Sequence, residues 1–77
     1  MDTRLFEDSE GRAWRVTRSG SNFSVEGQRR AGEKLHDIAR SCARRLGVTQ
    51  TSNGSPIEYV NEHIRIWGAI WARGTSV

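Results

Sequence analysis

Cysteine, histidine and lysine are scarce in this chain, and long apolar runs are missing altogether. The single Cys42 rules out an internal disulfide. With only His36 and His63 as further nitrogen ligands, too few groups remain for a closed zinc site, so no metal or cofactor is expected. A lone thiol of this kind fits a reducing cytoplasm. No stretch approaches the run of about 18 apolar residues that a membrane span needs, and Met1-Asp2-Thr3-Arg4 holds no apolar signal region. Neither export nor membrane insertion is expected. Internal repeats and low-complexity segments are also lacking.

Lysine occurs once, at Lys34, against eleven arginines. The net charge is +3 and unevenly placed. Between Arg12 and Arg45, nine basic residues stand against only Glu26, Glu33 and Asp37. The planar arginine fork matches phosphates, base edges and carboxylates better than an ammonium does. At 35% apolar and 27% charged residues, the 77-residue chain lies within the folded range. Its size sets one small domain whose single core leaves a thin margin of stability.

Local patterns give the order of elements. The stretch 3–7 reads as a weak first strand, and Glu7-Asp8-Ser9-Glu10-Gly11 as a polar turn. Residues 12–18 alternate with period two, Trp14 and Val16 facing one way, Arg15 and Thr17 the other. Ser19-Gly20-Ser21 forms the next turn, and 22–26 alternate again with Phe23 and Val25 on one face. A helix is predicted over 29–46, because Leu35, Ile38, Ala39, Cys42 and Leu46 recur at helical spacing; Gly47 should cap it, with Val48 folding back.

A second helix is predicted over 55–73. Ser55-Pro56-Ile57-Glu58 combines a capping serine, proline at the first helical position and glutamate at the third. Ile57, Tyr59, Val60, Ile64, Ile66, Trp67, Ile70 and Trp71 then fall on one half of the circumference. A rival reading makes Asn53-Gly54 a hairpin turn between short strands; the segregation of faces over five turns argues for the helix. The expected fold is α+β, a three-stranded antiparallel sheet followed by two helices packed on one face (βββαα).

The chemistry follows from which faces stay in water. The outer sheet face would display Arg15, Thr17, Asn22 and Ser24, with Arg12 and Arg18 near the strand ends, a surface rich in donors. A β-ribbon of this kind can enter a major groove, where arginine and asparagine read guanine and adenine edges. Arg29, Arg30, Arg40, Arg44 and Arg45 would then hold phosphates and set register. Tyr59, Ile66, Trp67, Ile70 and Trp71 form an apolar arc wider than so short a chain readily covers, so part of it should be an interface, met by a symmetric homodimer or another partner.

Three strands followed by a helix, with Trp14-Arg15-Val16 in a strand, is similar in outline to the arm-type DNA-binding domains of phage integrases. Ala43-Arg44-Arg45-Leu46-Gly47-Val48-Thr49-Gln50 resembles the turn region of phage-repressor helix-turn-helix domains. The following Thr51-Ser52-Asn53-Gly54-Ser55-Pro56 would break a recognition helix at its start, so the chain is assigned to neither family.

Catalysis is not expected. His36-Asp37 and Glu62-His63 are adjacent pairs whose members point to different sides of a helix, and Glu58 with Glu62 falls on a solvated face. Cys42 on the apolar stripe should be an inert thiol. The reading from sequence is therefore a small, cytoplasmic, non-enzymatic protein binding nucleic acid through an arginine-rich sheet face and its first helix. The alternative is a module that occupies an acidic protein surface, in the manner of phage-encoded anti-CRISPR inhibitors or antitoxin-like adaptors.

Overall fold

The computed structural model describes residues 1–73. Strands β1 (Asp2–Glu7), β2 (Ala13–Ser19) and β3 (Asn22–Glu26) form an antiparallel sheet in the order β1-β2-β3. Helices α1 (Leu35–Leu46) and α2 (His63–Ala72) follow, separated by a single 3-10 turn at Ile57–Tyr59. The fold is α+β with βββαα order.

Register decides what the sheet buries. Phe6 pairs with Trp14, Arg4 with Val16, and Val16 with Val25, so these residues share one face. Phe6, Trp14 and Val16 are buried there beneath Ile38, Ala39, Cys42 and Ala43 of α1 and Ile66, Trp67, Ile70 and Trp71 of α2. Phe6 lies 5.6 Å from Trp67 and 5.9 Å from Trp71, and Phe23 lies 5.5 Å from Trp71. These are tilted ring contacts of the favourable kind. The β2–β3 connection is the two-residue turn Gly20-Ser21, with a positive φ at Gly20 that matches the twist of the strands.

α1 begins at Leu35, six residues later than the apolar spacing suggested. Gly32 takes a left-handed φ of 78°, and Glu33 donates its N–H to the carbonyl of Arg30, so residues 29–34 form a turn instead of a helical start. The other end follows the sequence expectation. Gly47 is left-handed, with its N–H donating to Ala43 and Arg44, and the Val48 N–H returns to the Ala43 carbonyl at 2.9 Å, a Schellman cap.

The single helix expected over 55–73 is not formed. Thr51 to Ser55 is a tight loop in which the Thr51 N–H donates to the Ser55 carbonyl, Gly54 has a φ of 87°, and Asn53 Oδ1 accepts from both Ser55 N–H and the Thr51 hydroxyl. Gln50 bridges Pro56, and Ile57 N–H donates to the Thr49 carbonyl at 3.0 Å. The rival turn at Asn53-Gly54 is thus present in miniature. Ser55 caps no helix, and Val60 and Glu62 are both extended before α2 starts. The break lets Ile57 and Val60 insert into the core, while Tyr59 turns out to 79% exposure.

Candidate functional site

Two of the arginines expected on the binding surface, the partly buried Arg12 and the exposed Arg30, are tied into ion pairs within the fold. Asp8, fully buried, accepts the backbone N–H groups of Glu10 and Arg12 at Oδ1 and the Trp14 indole at Oδ2. Arg12 lies 3.0 Å from the same carboxylate and makes a two-pronged bond to Glu33 at 2.8 and 2.6 Å. Arg30 pairs with Glu10 in the same two-pronged way, and its N–H reaches Glu33. Ser9 donates to the Ser41 hydroxyl on α1. This network ties the β1–β2 turn to the loop before α1. It holds the Glu33 carboxyl down to about 2, first through the Arg12 bond and then through the Arg30 N–H.

The outer sheet face carries the residues that alternation predicts, but it is not free of carboxylates and does not include Arg18. Arg15, Thr17, Asn22 and Ser24 do lie on the outer face, but the register sets Glu26 directly across from Arg15, and Glu7 lies on the same face. Arg18 shares the opposite face with Phe23. Leu5, 45% exposed, stands on the outer face beside Arg15. What alternation could not reveal was the pairing partner, and the partner supplies the carboxylate.

The expected apolar interface is also used internally. Ile66, Trp67, Ile70 and Trp71 are buried under the sheet, and only Tyr59 of that group faces solvent. The arc for which a dimer was expected is covered by Phe6, Trp14, Val16 and α1.

One cationic surface lies at the C-terminal half of α1. Arg40 and Arg44 stand one turn apart on the helix side opposite Ile38, Ala39, Cys42 and Ala43. Arg44 is exposed, and Arg40 reaches across to the Glu58 carbonyl at 3.4 Å and to Asp37 at 3.5 Å. Arg45 sits on the flank, 3.8 Å from Glu7. Arg73 donates to the Gly47 carbonyl at 3.4 Å, bringing a fourth guanidinium to the same end. Among the described residues, Arg15, Arg18, Arg29, Lys34 and Arg44 have no acidic partner within ion-pair distance.

Between α1 and the returning segment lies a groove of about 220 Å³, bordered by Arg40, Arg44, Gly47, Val48, Thr49, Ile57 and Glu58. Gly47, Val48, Thr49, Ile57, Glu58 and Arg73 do not stand out as site residues in the sequence. The one signal that places them is the left-handed Gly47, which sends the chain back beside the last turn of α1. A second groove, of about 440 Å³, lies between the starts of the two helices and is lined by Leu35, His36, His63 and Ile64 among others. There the His63 Nδ1 is buried without a partner, and burial, followed by the neighbouring His36, lowers the His63 pKa.

The chemistry of the interior is quiet. Burial, and secondarily the Asp8 charge, pushes the Cys42 thiol up to about 12, so it stays protonated. Among the described residues no three His, Cys, Asp or Glu side chains are gathered for a metal ion, and no helix is long and apolar enough to cross a membrane. No protein-family model, no characterised relative and no solved structure matches the chain.

Proposed function

We propose that this is a small non-enzymatic protein of the cytoplasm that binds nucleic acid, and that the contact is the arginine face of α1 and not the outer sheet face. The observation that carries the reading is the division of labour among the arginines. Arg12 and Arg30 are tied by two-pronged ion pairs to Glu33 and Glu10, whereas Arg44 is exposed with no acidic partner among the described residues, and Arg40, one turn before it on the same side of α1, makes only a 3.5 Å contact to Asp37 and a 3.4 Å bond to the Glu58 carbonyl. Helix-borne guanidiniums one turn apart can grip successive phosphates, and that contact is independent of sequence.

A labelled oligonucleotide titrated at low salt tests the proposal. Binding should weaken linearly with log salt, and replacing both Arg40 and Arg44 by alanine should flatten that dependence. Absence of binding to single strands and duplexes alike would end it. An acidic protein surface would draw on the same guanidiniums; a pull-down that survives nuclease treatment and retains a protein would assign the face to that partner instead.

A further inference from the structure

We infer that the groove beside Arg44 seats one unpaired nucleotide, which makes the protein a reader of single strands over duplex; the inference rests on the nucleic-acid reading above. The groove has two unlike parts. Its rim carries the Arg40 and Arg44 guanidiniums from α1, and its floor includes Val48 and Ile57, both core residues with a small exposed remainder. A phosphate gains nothing from an apolar floor. A nucleobase does, because its flat face can leave water there while its own phosphate meets the guanidiniums.

Three further features fit that occupant. Gly47 borders the groove without a side chain, and nothing lies within 4 Å of where its Cβ would stand, so that wall is open. Arg40 reaches across the groove to the Glu58 carbonyl at 3.4 Å, so its guanidinium lies between the two banks, one turn from Arg44. Arginine planes also stack on bases. Glu58 lies on the bank opposite α1, where its charge repels phosphate and its oxygens can accept from an exocyclic amine, so the phosphate belongs on the α1 side and the base edge toward Glu58. A duplex keeps its bases stacked inside and offers this concave site only its convex backbone.

The test compares three probes with the intact protein at one salt concentration: a labelled single strand, the same strand with abasic sugars throughout, and a duplex. The single strand should bind roughly tenfold more tightly than the abasic strand. Thr49→Leu, which adds bulk to the groove from an exposed position, removes no charge and offers no stacking plane, should bring the ordinary strand down toward the abasic level while circular dichroism stays unchanged. Equal binding of ordinary and abasic strands by the native protein overturns the groove inference and leaves the phosphate contact standing. Failure of all three probes to bind at low salt overturns both. If Thr49→Leu is misfolded, the abasic comparison alone decides.

Discussion

The indole N–H of Trp14 donates to Oδ2 of Asp8 at 3.1 Å, with both side chains sealed from solvent. This bond joins a strand residue of the core to a carboxylate that also organises the β1–β2 turn. Replacing Asp8 by alanine would strand the indole and the N–H groups of Glu10 and Arg12, and would leave the Arg12 charge short of one partner. Loss of about 3 kcal/mol is expected, measured by urea unfolding. Trp14→Phe, which removes the donor and keeps most of the ring, should cost clearly less.

Acid should unfold the protein through the same network. Burial alone would raise the Asp8 carboxyl, but the hydrogen bonds from Trp14, Arg12 and Glu10, with the Arg12 charge, hold it below its ordinary 3.8. Glu33 falls from 4.5 to about 2. Both groups release their protons more readily when folded, so the unfolded chain takes up more protons in acid. Their stabilisation is complete above 4.5 and is lost as the pH falls toward 2. Glu33→Gln should flatten the stability profile across that window.

His63 has the opposite chemistry and a different window. Its lowered pKa means that the folded state favours the neutral ring, while the unfolded ring takes its proton near 6.5. No penalty exists above 6.5, and stability declines as the pH falls below it until the folded ring also titrates. His63→Gln should remove this shallow decline without altering the acid limb, as pH-dependent urea midpoints would show.

Gly27 is required by Trp14. A Cβ at Gly27 would stand 2.4 Å from the Trp14 ring, which is locked by its bond to Asp8. Gly27→Ala should therefore cost about 1–3 kcal/mol, although the site is exposed. Thermal unfolding of this variant beside Gly20→Ala would separate a steric clash from a turn effect, since nothing lies near a Cβ at Gly20.

Much of this architecture is written in local pattern. Alternation locates Trp14, Val16, Phe23 and Val25 on the inner face, and the spacing of Ile38, Ala39 and Cys42 with the Gly47 cap places α1. The helix expected from Ser55 fails for a tertiary reason. Asn53-Gly54 closes a loop, and burying Ile57 and Val60 outweighs the helix-start signal of Ser55-Pro56-Ile57-Glu58. The candidate site is half legible, since Arg40, Arg44 and Arg45 follow from helical spacing. The internal use of Arg12 and Arg30, and Glu26 opposite Arg15, depend on contacts between distant segments that no periodicity encodes.

Placement of the binding face on α1 stands or falls with fluorescence anisotropy of a labelled single strand against salt, using the native protein and a variant with Arg40 and Arg44 both changed to alanine. Log affinity should fall linearly with log salt. Each phosphate neutralised on a single strand adds about 0.7 to that slope, so the double variant should be shallower by about 1.4. An unchanged slope and affinity in the double variant, with the fold intact, would contradict a binding face on α1.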